Sequence, residues 1–209
     1  MTKLKILQAD QSYTFRSYFE MSAEPEEILA DLGYTLRTAR LSLPMTQESL
    51  TWTAELRNRL ERSLTVVTLT SETARREILV APILLEVATR YNAQLRIEYP
   101  LSVNNWLKGT LDYLLRLGQA IVIVEAKNDD LTRGFTQLAT ELIALSQVQE
   151  LDTLYGAVTI GDAWRFGRLD QHQKQITQDI KLFTVPDDLE QIVSILIGTL
   201  AGQPPVNSR

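Results

Sequence analysis

The chain has 209 residues, 44% hydrophobic and 22% charged, with no cysteine and 26 acidic against 21 basic side chains. That mix suits one large globular domain, or one domain with an added arm. The missing cysteines exclude disulfides and thiolate zinc sites, and the net charge of −5 comes without the basic stretch that usually marks non-specific nucleic-acid binding.

No apolar run at the start is long enough for a signal peptide, and none elsewhere approaches a membrane span. A cytoplasmic protein that does not contact a membrane is expected. Residues 1–65 read as an αβ arm or subdomain and offer a possible homodimer contact. Within them, Tyr13, Phe15 and Phe19 predict a strand over Ser12–Met21. Pro25 opens a short helix that runs to about Leu32 and stops at Gly33. Alternation over Thr35–Leu43 predicts a half-buried strand, and Thr46 is placed to cap a helix reaching about Arg62.

The core is expected over residues 66–202. Ser71 to Tyr91 reads as one long helix, capped by Ser71 and bent locally at Pro82. Strands follow over Leu95–Tyr99, Thr110–Arg116 and Ala120–Lys127, then a helix over Leu131–Gln149 capped by Asp130, then a strand over Leu154–Ile160. Trp164–Leu169 and Ile176–Val185 predict a hairpin pair. Pro186-Asp187-Asp188 starts a last helix to about Ala201, and residues 203–209 read as a flexible tail. The order predicts an α/β fold of the α+β type: a central mixed sheet flanked by helices on both faces.

The sharpest local feature is Ile121-Val-Ile-Val-Glu-Ala-Lys127. Side chains alternate along a strand, so Glu125 and Lys127 share a face with Ile121 and Ile123. Val122, Val124 and Ala126 fill the other face. A carboxylate and an ammonium ending so apolar a strand are costly to bury unless they are paired or bound to a metal. Thirteen residues earlier, Asp112 lies inside another strand-like run. If the two strands form a hairpin, Asp112 and Glu125 converge into a hard-oxygen site suited to Mg²⁺ or Mn²⁺. Lys127 would then orient a water or neutralise developing charge.

An Asp followed by Glu-Ala-Lys after an apolar strand, set among these elements, resembles the PD-(D/E)XK nuclease superfamily, whose fold is restriction-endonuclease-like. The resemblance covers roughly residues 71–160. It implies metal ligands at Asp112 and Glu125, and a catalytic Lys127. The family's usual proline before the Asp is Leu111 here. A Glu on the first core helix is frequent in the family. A projection at 100° per residue puts Glu77 among Ala74, Ala81, Leu84, Leu85 and Ala88, and puts Glu86 on the solvated face, which favours Glu77. A Gln on the helix after the Glu-x-Lys strand is matched by Gln137. Glu141, one turn further on, stands where an aromatic is frequent.

The chain has no GxGxxG, phosphate-loop or HExxH pattern, and one His with no Cys builds none of the usual triads. His172 reads as a turn residue, and Trp106, Trp164 and Phe166 as core aromatics. Two functions are expected in competition. One is a Mg²⁺-dependent nuclease acting on DNA. The other is a non-catalytic interaction protein on the same scaffold, which the acidic balance favours.

Overall fold

A computed structural model describes residues 5–202. The predicted tail, residues 203–209, lies outside the described residues. The strands are β1 (Thr35–Ala39), β2 (Gln94–Ser102), β3 (Lys108–Leu117), β4 (Ala120–Ala126), β5 (Thr153–Thr159), β6 (Ala163–Asp170), β7 (Gln175–Asp179) and β8 (Phe183–Thr184). The helices are α1 (Phe15–Glu20), α2 (Pro25–Asp31), α3 (Thr53–Leu64), α4 (Glu72–Arg75), α5 (Ala81–Tyr91), α6 (Leu131–Gln149) and α7 (Leu189–Leu200), with a π turn, Arg76–Val80, joining α4 to α5.

The strands form one mixed sheet in the order β1-β7-β6-β5-β4-β3-β2, with β8 pairing β6. β2, β3 and β4 are antiparallel neighbours. α6 then carries the chain over to β5, which lies parallel to β4. That crossover buries β4 on both faces, and a run of Ile and Val suits such a strand. Val122, Val124 and Ala126 pack with α3, α5 and α7 in one core. Ile121 and Ile123 pack with Phe15, Leu29 and the α6 residues Phe135, Leu138 and Leu142 in the other. The two faces are divided as the alternation requires.

Residues from the first 65 contribute to the same sheet and both cores. β1 is its edge strand, parallel to β7 from Thr35↔Gln175 to Ala39↔Asp179. Leu56 and Leu60 of α3 join one core, and Phe15 of α1 joins the other.

Several boundaries differ from expectation. Ser12–Met21 is not a strand. Phe15 and Tyr18, three residues apart, are both buried on the one-turn-spaced face of α1. Aromatics at that spacing fit either structure, and tertiary burial decides between them. The predicted helix from Thr46 begins only at Thr53, because the preceding segment is tied to α7. There Thr46 N–H donates to Ser194 O at 3.1 Å, and Ser194 Oγ donates to Thr46 O at 3.2 Å. The second half of the predicted hairpin is split. β7 ends at Asp179, whose Oδ1 accepts from Lys181 N at 2.9 Å, and the chain returns as β8 beside the start of β6.

The strap over α7 is close enough to exclude a side chain. A Cβ on Gly198 would lie 2.6 Å from Met45 Cα and from Met45 N, and backbone cannot yield as a flexible side chain would. Gly198→Ala is expected to cost about 2 kcal/mol, and so lower the melting temperature by roughly 5 °C. A thermal melt showing no loss would mean that the strap is not seated there. Among the described residues no helix is long and apolar enough to cross a membrane.

Candidate active site

The site forms where the sheet splays. The β3–β4 ladder runs from Leu117↔Ala120 to Tyr113↔Val124 and stops. Extended by one step, that register sets Asp112 beside Glu125, and on the β2 side it sets Asp112 between the pairs of Ile97 and Tyr99, opposite Glu98. Asp112 does not continue the ladder through its backbone. Its Oδ2 instead accepts from Ala126 N at 2.9 Å. β4 stays joined to β5 for one residue more, with Lys127 N donating to Thr159 O at 2.7 Å. The parting strands leave a cleft of about 440 Å³, lined among others by Glu72, Arg76, Glu98, Asp112, Glu125, Lys127 and Gln137.

Glu125 is 1% exposed and Lys127 9%. Lys127 Nζ lies 2.6 Å from Glu125 Oε1 and 5.1 Å from the centre of the Phe19 ring. Burial works against the Lys127 charge, but Glu125 and then Asp112 outweigh it, so the amine holds its proton more firmly than an ordinary lysine. Burial likewise raises Asp112, against the Ala126 N–H and the cations Arg76 and Lys127.

Gln137 lies within the core, at 4% exposure. Its Nε2 donates to Glu125 Oε1 at 2.5 Å and to Glu141 Oε1 at 2.9 Å. Glu141 is fully buried, and its role was not predicted from the sequence. Burial, then the charge of Glu125, pushes its carboxyl well above the carboxylate range. Glu125 is pushed up to about 8, by burial first and the Asp112 charge second. Lys127 offsets part of the rise at Glu125, whereas at Glu141 only the Gln137 amide opposes it. α6 approaches this closely because residue 134 is glycine: a Cβ there would meet Lys127 Cγ at 2.9 Å and Val158 Cγ2 at 2.8 Å.

Glu77 is a correction. The helical projection expects it in the buried stripe, but it is exposed and is not among the residues lining the cleft. The uniform 100° projection fails at the π turn, where Ala81 N–H donates to Arg76 O, five residues back. Pro82 offers no N–H to Ile78 O, which explains why the ladder is irregular just there. The extra residue rotates the preceding turn, so Glu72 and Arg76 face the cleft in place of Glu77. Pro82 was the one available signal. Nothing in the sequence marks Glu98, whose φ of +54° is unusual for a residue with a side chain.

Among the described residues, no three His, Cys, Asp or Glu side chains gather as a metal cluster. Asp112 and Glu125 are two carboxylates in one cleft, and Glu125 Oε2 is buried without a hydrogen-bond partner. That donor set fits Mg²⁺ or Mn²⁺ better than Ca²⁺, because Mg²⁺ keeps several waters and needs only one or two carboxylates beside a substrate phosphate. No protein-family model matches the chain, and no match is found among curated proteins.

Proposed function

We propose that the chain is a divalent-metal-dependent phosphodiesterase of the PD-(D/E)XK kind, hydrolysing DNA. One observation carries the reading: Asp112, Glu125 and Lys127 line a single cleft at the splayed end of β3 and β4. Asp112 and Glu125 would hold Mg²⁺ or Mn²⁺. When bound, such an ion supplies Lewis-acid polarisation of a phosphate and acidifies water. Lys127, kept as an ammonium, offsets negative charge gathering on the phosphoryl oxygens and does not act as a general base. Gln137 fixes the Glu125 carboxylate, and Phe19 covers the Lys127 amine from water.

A second reading has its own observation. Glu125 Oε1 is already satisfied by Lys127 and Gln137, and among the described residues no third acid completes a cluster. On that reading the scaffold binds a partner without chemistry. Incubation with single- and double-stranded DNA and RNA, in Mg²⁺, Mn²⁺ or EDTA, separates the two. The enzyme should cut DNA only with metal, and Asp112→Asn should reduce cutting by more than about a hundredfold. An uncut substrate, with no Mn²⁺ bound by calorimetry, would establish the second reading.

A further inference from the structure

Two unusual backbone features meet at one side chain. The π turn sets Arg76 on the cleft side of its helix, where a regular turn would not. Such turns recur at functional sites. Opposite it, Glu98 holds a left-handed backbone at φ +54°, a conformation that costs energy for a residue with a Cβ. The result is an anchored guanidinium. Arg76 Nη2 donates to Glu98 Oε1 at 2.6 Å, Nε donates to Tyr113 OH at 3.4 Å, and Cζ sits 5.2 Å from the Tyr113 ring centre.

The third nitrogen is different. Nη1 lies 3.5 Å from Asp112 Oδ1 and donates no hydrogen bond among the described residues. The neighbouring Arg75 shows what a structural arginine looks like here, with its Nη1 donating to Ile160 O at 2.9 Å and to Asp162 at 3.3 Å. Arg76 is held along one edge and presents the other to the cleft. A guanidinium has five donors in a planar fork, the geometry that matches phosphate oxygens.

We infer that Arg76 is the phosphate-binding residue of the cleft, its Nη1 edge taking a nonbridging oxygen of a phosphodiester while Glu98 and Tyr113 position the guanidinium. Glu98 is a positioning residue. The phosphodiester class rests on the proposed function, and the assignment of Arg76 rests on the geometry.

The test compares wild type, Arg76→Ala, Arg76→Lys, Glu98→Ala and Glu98→Gln. Binding of a fluorescein-labelled DNA duplex is read by anisotropy in Ca²⁺ over a range of salt, and Mn²⁺ binding is read by calorimetry. Arg76→Ala should bind the duplex about tenfold more weakly, with a log-salt slope shallower by about one. Its Mn²⁺ affinity should stay within about threefold of wild type, because the lost cation competes for Asp112 rather than supporting it. Arg76→Lys should restore the slope but not the full affinity. Removing the Glu98 charge alone would tighten duplex binding, so a weaker Glu98→Ala, rescued by Glu98→Gln, identifies positioning.

Duplex binding by Arg76→Ala with wild-type affinity and slope would overturn the inference. So would a folded Arg76→Ala that loses Mn²⁺ along with the duplex, since Arg76 would then serve Asp112. Should Arg76→Ala not fold, Arg76→Lys binding as wild type does would overturn it. If wild type cuts nothing and binds no Mn²⁺, the enzyme reading fails by itself. The same duplex comparison in metal-free buffer then decides on Arg76, and equal or absent binding in both proteins overturns the inference.

Discussion

On the proposed phosphodiesterase reading, Lys127→Met should lower cleavage by about a thousandfold, a loss of the size seen when a positioned charge-stabilising group is removed. The methionine keeps most of the length of the side chain, and removes the ammonium with its charge and its N–H donors. Two losses then combine. The ammonium no longer faces the reacting phosphate. Glu125, 2.6 Å from it and buried, also loses the cation that favours its ionised form, and so gives up charge that a metal needs. Stability should follow pH. Glu125 is already pushed up to about 8 with the cation beside it, so without the cation the carboxyl keeps its proton at pH 6 and the cost there is small. As pH rises beyond about 8 the wild-type acid can ionise against Lys127 and the orphaned one cannot, so the cost of the substitution grows. Lys127→Arg should rescue only in part, since a planar fork does not reproduce the compact ammonium that meets Glu125 at 2.6 Å. Single-turnover cleavage at saturating Mg²⁺, with melts of both proteins at pH 6 and pH 9, checks both parts. Cleavage within tenfold of wild type would remove Lys127 from the chemistry.

The elements read best from the sequence are those in which local pattern and tertiary environment agree. Ile121-Val-Ile-Val124 is buried on both faces, as an apolar run demands, and Asp130 caps α6 by accepting from Thr132 N at 3.0 Å and Arg133 N at 2.9 Å. That Asp112, Glu125 and Lys127 meet in one cleft was legible because period-two alternation is rigid and strand neighbours are set by short turns. The helical candidates were harder. Glu77 was misplaced by a projection that assumes 3.6 residues per turn through a π turn. α1 was mistaken for a strand because six residues hold too little periodicity to choose. Glu141 is instructive. α6 is buried from Gly134 to Ser146, so its apolar stripe does not define what is inside. The one-turn spacing from Gln137 was the signal that could have found it. Glu98 acts through a backbone dihedral, which no residue pattern encodes.

The metal-free protein should become less stable as pH rises from about 5 to about 9. Glu125 and Glu141 share a fully buried space, with Gln137 donating one amide hydrogen to each. Unfolded, both carboxyls titrate in the ordinary range near 4.3. Folded, burial and then neighbouring negative charge raise both, Glu125 to about 8 and Glu141 well beyond the ordinary range. Between those limits the native chain binds more protons than the unfolded one, so the free energy of unfolding falls with pH. The favourable contribution is therefore complete below the unfolded value and is lost as pH rises through the folded values. A loss of about 3 kcal/mol, or roughly 10 °C in melting temperature, is expected over that window. Glu141→Gln keeps an acceptor for the Gln137 amide, removes one of the two acids and relieves the other, so more than half of the dependence should vanish. Mn²⁺ should oppose the loss at pH 8, because it requires ionised carboxylates, and its binding should release protons. A wild-type melting temperature that is flat or rising from pH 5 to pH 9 would mean that the two acids are not buried together behind the cleft.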